Sequence, residues 1–133
     1  MRAIILTTLL VLGFFVDGGT EWAVYQNKNL LAKYTIITKN PSLNISRAKI
    51  QHNDTLIIRY FRDTPCSKCT TVLYVVDNSG KEVKVIKSKG TFTPFKISFN
   101  DFIKMGNHKT YSFYRSEERY DNNKCLLLNL LIK

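Results

Sequence analysis

Apolar and polar residues alternate along most of this chain, and turn residues interrupt the alternation every ~8–12 positions. A period of two is typical of strands that bury one face, and helical periodicity is almost absent. The stretches that fit are 22–25, 31–38, 54–62, 71–76, 82–87, 95–99, 110–115 and 126–132, with 43–50 as a weaker candidate. About eight short strands at this spacing predict an all-β sandwich or barrel.

Two connections between these stretches have recognisable turn chemistry. Asp77-Asn78-Ser79-Gly80 predicts a hairpin turn in which Gly80 adopts a positive φ angle. Residues 100–106 predict one short helical turn, capped by Asn100 and stopped at Gly106. Both features join strands over short distances, as a compact β-domain requires.

A tyrosine near the start of a late strand favours the sandwich over the barrel. Tyr111 precedes Phe113 by two positions. This arrangement resembles the sixth strand of immunoglobulin-like sandwiches, where a tyrosine stands two residues before a buried position. We therefore expect an immunoglobulin-like antiparallel β-sandwich of about 7–8 strands. The likeness is one of architecture and names no function.

The first 18 residues have the layout of a secretory signal peptide. Arg2 supplies a short positive region, residues 3–16 are almost wholly apolar, and a cleavage site follows at Gly18. A retained membrane anchor is the alternative, although spanning a bilayer takes ~20 apolar residues. We predict a signal peptide over 1–18 and one β-sandwich domain over 19–133, with no transmembrane span in the mature chain. The mature protein would be secreted, periplasmic or at the cell surface.

The chain is strongly basic, with 20 Lys and Arg against 10 Asp and Glu and a net charge of +10. The only charged side chains in residues 1–18 are those of Arg2 and Asp17, so removal of this segment would leave the net charge the same. Such a charge favours an acidic protein, a glycan or another anionic surface as partner, although dispersed lysines also fit a plain solvated surface. The anion-binding candidates are Lys81, Lys84, Lys87 and Lys89. If their strand is a sheet edge, these lysines would instead deter edge-to-edge pairing.

Cys66-Ser67-Lys68-Cys69 is the one motif that could carry chemistry, and Cys125 stands alone near the last strand. A thioredoxin-like redox site needs a helix starting at the first cysteine, but a β-branched and aromatic run follows, which predicts a strand. Haem attachment needs a histidine after the second cysteine, and Thr70 occupies that position.

Two other roles for the cysteines stay open. The three thiols could together bind zinc or copper(I), with no evident fourth ligand because His52 and His108 are expected at the opposite end. In an oxidising compartment they could instead form a structural disulfide, as Cys66–Cys69, Cys69–Cys125 or Cys66–Cys125, with one thiol left over.

The remaining polar residues suggest no catalytic site. His52 and His108 flank strands in polar surroundings, where loop positions are expected, and no nucleophile motif is present. The carboxylates Glu117, Glu118 and Asp121, interleaved with Arg115, Arg119 and Lys124, predict a solvated loop. Asn44 and Asn53 begin N-glycosylation sequons, which matter only in a host that glycosylates exported proteins.

These observations favour an exported, non-catalytic binding, accessory or surface-interaction module that needs no cofactor. One alternative is a thiol-dependent metal-binding or redox protein that uses Cys66, Cys69 and Cys125. Another is a binder of anionic polymers through its basic surface.

Overall fold

A computed structural model describes residues 19–104, 110–118 and 121–133. The predicted signal peptide, Gly106 and His108 lie outside the described residues. The described part contains nine strands, a 3-10 helix and a short α-helix. In chain order these are β1 (Glu21–Gln26), β2 (Asn29–Thr35), β3 (Ser42–Ile45), the 3-10 helix (Arg47–Lys49), β4 (Thr55–Phe61), β5 (Thr70–Asp77), β6 (Glu82–Lys89), β7 (Phe95–Ser98), α1 (Phe99–Lys104), β8 (Thr110–Glu117) and β9 (Asp121–Ile132).

The strands form two packed sheets, so the predicted all-β sandwich is confirmed. One sheet has four strands in the order β2-β1-β4-β7, and the other has five in the order β3-β9-β8-β5-β6. Alternate residues of both sheets face inward and make one continuous core. Trp22 of the smaller sheet donates its indole N–H to the carbonyl oxygen of Leu127 in the larger one, at 2.7 Å. This hydrogen bond satisfies the polar atom of a buried tryptophan and joins the two layers.

One strand pair departs from the expected antiparallel arrangement. β3 runs parallel to β9, with Ser42 opposite Asn129 and Ile45 opposite Ile132. All the other pairings that make up the two sheets are antiparallel. The parallel pair adds a short edge strand to the five-stranded sheet, and the described part therefore has more strands than expected.

The ends of β2 and α1 differ from the sequence-based prediction. β2 stops at Thr35, three residues early, because the Thr38 N–H donates to the Thr35 carbonyl oxygen at 2.9 Å and closes a turn. That turn leaves Ile37 80% exposed. The α-helix begins at Phe99, so Asn100 does not cap it, and the Asn100 amide instead donates to the carbonyl oxygen of His52 at 2.6 Å.

The predicted hairpin turn at residues 77–80 is present. Gly80 has φ of +86°, and the Asp77 carboxylate accepts hydrogen bonds from the Ser79 and Lys81 backbone N–H groups. The Tyr111 hydroxyl donates to the carbonyl oxygen of Phe102 at 3.0 Å inside the core. That bond fixes the connection through α1 against the start of β8.

Among the described residues, no helix is long and apolar enough to cross a bilayer.

Substitution of Tyr111 by Phe should lower the free energy of unfolding by about 1–2 kcal/mol, because the buried Phe102 carbonyl loses its donor. Chemical denaturation measures the change. Tyr114→Phe is the matched control, since this half-buried tyrosine lies on the outer face of the same strand, and it should change stability by less than about 0.5 kcal/mol. Equal losses in the two variants would contradict the role given to the Tyr111 hydroxyl.

Candidate functional site

Cys66 and Cys69 form a disulfide that closes the loop before β5. This is one of the three pairings that the sequence left open. β5 begins at Thr70, directly after the second cysteine, so the predicted strand stands where a thioredoxin-like site needs a helix. The Cys69 side chain is buried, whereas Cys66 is half-buried. The disulfide is therefore a local cross-link within the loop that connects β4 to β5.

Cys125 lies at an exposed position in β9, in register with Arg115 of β8. Its Sγ atom is 3.8 Å from the Leu126 carbonyl oxygen. Within residues 19–104, 110–118 and 121–133, no three His, Cys, Asp or Glu side chains are grouped as metal ligands. His52 is exposed and lies beside Asn100, with 3.3 Å between its Nδ1 and the Asn100 amide nitrogen.

A buried ionic cluster lies next to the disulfide loop. It contains Arg62, just after β4, and Arg115 and Glu117 of β8, and Glu117 is only 1% exposed. The Glu117 carboxylate accepts hydrogen bonds from both guanidinium groups, with 2.9 Å between Arg115 Nη2 and Oε1. The Arg115 guanidinium also stacks 3.7 Å above the centroid of the Tyr60 ring. The expectation of a solvated loop is therefore wrong for Glu117 and Arg115, whereas Glu118 is exposed. Asp121 and Lys124 lie in β9 and not in a loop, and Arg119 lies outside the described residues.

Thr91 connects this cluster to the disulfide loop. Its hydroxyl donates to Glu117 Oε1 at 2.9 Å and accepts the Cys66 backbone N–H at 2.7 Å. The Thr91 N–H in turn donates to the Cys66 carbonyl oxygen, and the Gly90 N–H donates to that of Cys69. Gly90 has φ of +93°, a backbone conformation that residues other than glycine rarely adopt. The loop, the turn after β6 and the ionic cluster thus form one hydrogen-bonded unit.

The pKa of Glu117 reflects two opposing effects. Burial alone would raise the pKa, because it disfavours the charged form. Hydrogen bonds from Arg115, Thr91 and Arg62 outweigh burial and hold the pKa below the ordinary value. Glu117 is therefore ionised at neutral pH and compensates the charge of two buried arginines.

The predicted anion-binding lysines do not share one face. β6 is an edge strand, so the edge-protection role of its lysines fits the topology. Lys84 pairs with Asp101 of α1 at 2.8 Å. Lys87 and Lys89 are exposed on the opposite face of β6, and Lys81 is exposed in the turn before it.

The outer face of the four-stranded sheet carries a depression above Ala23. Ala23 lies in register with Lys33 of β2 on one side and with Arg59 of β4 on the other. Because its methyl group is far shorter than these neighbours, the face has a hollow of about 190 Å³ that Tyr25 and Phe61 also line. Adjacent strands lie ~4.8 Å apart, so both cationic side chains can reach an anion above Ala23.

Positive charge exceeds negative charge around this depression. Glu21 is its one acidic lining residue, and it forms an exposed ion pair with Lys33 at 3.4 Å. The Arg59 guanidinium lies 5.9 Å from the Tyr25 ring centroid and has no carboxylate partner in the described part of the chain. Exposed ion pairs are weak, so Lys33 remains available to a second anion. Phe61 adds an aromatic surface, stacked at 5.4 Å on Phe92.

Comparison with protein-family models, curated proteins and solved structures finds no match for the chain. The depression above Ala23 is a candidate binding site because of its shape and its charged and aromatic lining.

The sequence contained a signal for the ionic cluster but not for the depression. Tyr111, Phe113, Arg115 and Glu117 have the same parity along one strand, so extending the inward face of β8 would have predicted burial of both charges. The depression depends on three strands meeting in one register, and no single stretch of sequence encodes that.

Substitution of Glu117 by Gln should destabilise the fold by about 3–5 kcal/mol, because two buried arginines lose their counter-charge. The exposed neighbour supplies the control, Glu118→Gln, which should change stability by less than about 0.5 kcal/mol. Urea denaturation at neutral pH measures both. Similar small effects in the two variants would contradict the role of the cluster.

The same carboxylate predicts a pH dependence of stability. A lowered pKa in the folded state stabilises the fold at pH values above the ordinary carboxyl pKa, and that contribution is lost as the pH falls through the lowered one. The wild type should therefore lose stability on acidification more steeply than Glu117→Gln. Parallel acid titrations of the two proteins would contradict this.

Replacement of both Cys66 and Cys69 by Ser should cost about 2 kcal/mol, the entropy expected for closing so short a loop. Thermal or urea unfolding with and without reductant measures it. Reductant should destabilise the wild type by a similar amount and leave the double variant unchanged. An effect of reductant on the double variant would contradict the assignment.

Proposed function

We propose that the chain is an exported, immunoglobulin-like β-sandwich that acts as a non-catalytic binding module for anionic polymers such as acidic glycans. The observation that carries the binding proposal is the cationic depression above Ala23. Export is supported by the layout of residues 1–18 and by a disulfide, since disulfides persist in oxidising compartments.

Two features of the fold support the immunoglobulin-like comparison. Immunoglobulin-like domains are two-sheet sandwiches, and their tyrosine near the start of the sixth strand hydrogen-bonds back to the backbone upstream. Tyr111 makes such a bond to Phe102 across the connection between the sheets. It also stands two residues before the fully buried Phe113.

The combination of charge and aromatic surface in the depression supports the proposal of polymer binding. Arg59 offers a planar fork of donors that matches carboxylate and sulfate groups, and Lys33 adds a second positive charge. Tyr25 and Phe61 offer ring surfaces to the apolar face of a sugar. The hollow is open and small, which fits one anionic unit of a longer chain better than a whole buried ligand.

The double variant Lys33→Ala/Arg59→Ala should bind a heparin oligosaccharide about 10- to 30-fold more weakly at low salt, because two charges close to the anion are lost. Lys87→Ala/Lys89→Ala is the matched control, since it removes the same charge from the distant strand β6. Titration calorimetry measures both. Binding by the wild type should also weaken steeply with added salt.

A single substitution tests the sign of the effect. Glu21→Gln removes the one carboxylate that lines the depression and should strengthen binding by about two- to fivefold. Equal losses in the two double variants would mean that only net charge matters. A larger loss in the Lys87/Lys89 variant would assign binding to the lysines of β6 instead.

The thiol-dependent alternative separates cleanly from this proposal. If Cys66, Cys69 and Cys125 served metal or redox chemistry, their replacement by Ser would abolish function. Polymer binding at Ala23 should survive in Cys66→Ser/Cys69→Ser, provided the variant is folded.

A further inference from the structure

A second cavity lies at the side of the sandwich where the two sheets do not meet. It opens between β2, an edge of the four-stranded sheet, and β3, an edge of the five-stranded one. Its volume is about 520 Å³, within the ~300–1,000 Å³ range of small-molecule sites. This cleft does not share its lining with the depression above Ala23.

The lining of the cleft is amphipathic. Leu31, Leu43 and Ile45 supply the apolar part and are continuous with the core of the sandwich. The exposed side chains of Lys49 and Lys133 line it with positive charge, and no Asp or Glu is among its lining residues. The remaining lining residues are Gln26, Asn44 and Ser46. A ligand that fits must therefore combine an apolar chain with a negative charge.

We propose that this cleft binds a single-chain anionic amphiphile, such as a medium-chain fatty acid. The alkyl chain lies against Leu31, Leu43 and Ile45, and the carboxylate pairs with the ammonium groups of Lys49 and Lys133. Burial of the chain supplies most of the affinity, because each methylene is removed from water. The two cations select an anionic headgroup over a neutral one.

Hydrogen bonds hold the end of the cleft that carries the cations. The Gln26 side-chain amide donates to the Lys49 carbonyl oxygen at 3.0 Å and to the Asp54 carboxylate at 2.7 Å. The Lys133 N–H donates to the Ile45 carbonyl oxygen at 3.0 Å, and the Lys133 backbone oxygen accepts the Arg47 N–H at 2.8 Å. The backbones that carry both lysines are thus fixed before any ligand binds, which lowers the entropy cost of binding.

The edge strands also suggest an added partner strand as a different occupant. An extended peptide pairs through its backbone and has no requirement for negative charge. The pair of lysines, with no Asp or Glu among the lining residues, favours the amphiphile. The two occupants differ in their dependence on headgroup charge, and the experiment uses that difference.

Calorimetric titration with octanoate and decanoate, both kept below their micelle concentrations, tests the proposal on the full chain. Decanoate should bind about 15-fold more tightly than octanoate, as two more buried methylenes require. Neutral octyl glucoside and cationic decyltrimethylammonium should bind at least tenfold more weakly than decanoate. In ¹⁵N spectra, decanoate should shift the amide signals of Leu31, Leu43, Ile45 and Lys49.

Charge reversal gives a matched pair of variants. Lys49→Glu/Lys133→Glu should weaken decanoate binding tenfold or more, whereas Lys87→Glu/Lys89→Glu has the same net charge and should bind as the wild type does. Equal binding of all headgroups, or shifts centred on the exposed Phe61 and Phe92, would overturn the proposal. So would a lack of decanoate binding, or a chain that dimerises through β2 or β3 and excludes the ligand.

Discussion

The buried contact of Glu117 with Arg62 and Arg115 is the interaction on which one end of this sandwich depends. Arg62 follows β4 of the smaller sheet, and the other two residues belong to β8 of the larger one. The cluster therefore bridges the layers through charge, where apolar packing ends. Removing water from three charged groups is costly, and the cost is offset only because hydrogen bonds and the Tyr60 ring surround them. Any change that leaves one charge without its partner must then disturb both sheets.

The disulfide gains its structural role from the same cluster. The Cys66–Cys69 disulfide closes a loop of four residues, so it removes less entropy from the unfolded chain than a disulfide across a long loop would. Thr91 joins the loop to Glu117, and so the position of the loop follows from the ionic contact. This dependence explains why a Cys-x-x-Cys motif can be structural here. The disulfide closes a loop whose position is set by its hydrogen bonds, through Thr91, to the ionic cluster.

The alternation of residues was enough to predict the sandwich and most of its strands, because a period of two is a local property. It could not predict that β3 pairs in parallel with β9, since Ser42 and Asn129 are far apart in sequence. The burial of Glu117 was missed for a different reason. A glutamate among arginines normally indicates solvent, and here the inward parity of β8 overrides that composition. The site above Ala23 was beyond prediction, because it exists only where Lys33 and Arg59 meet across β1.

The two faces of the smaller sheet differ in burial, and the binding site that we propose lies on the outward face. Trp22, Val24 and Ile58 point inward and are buried, whereas Ala23 and Arg59 alternate with them and point outward. Outward residues can therefore change without opening a cavity in the core. The register of β1, β2 and β4 fixes the spacing of the Lys33 and Arg59 backbones on that face, and the anion binding that we propose uses both side chains. In the function that we propose, the register of three strands concentrates positive charge around the Ala23 methyl group, and the remaining lysines would only speed the approach of an anionic partner.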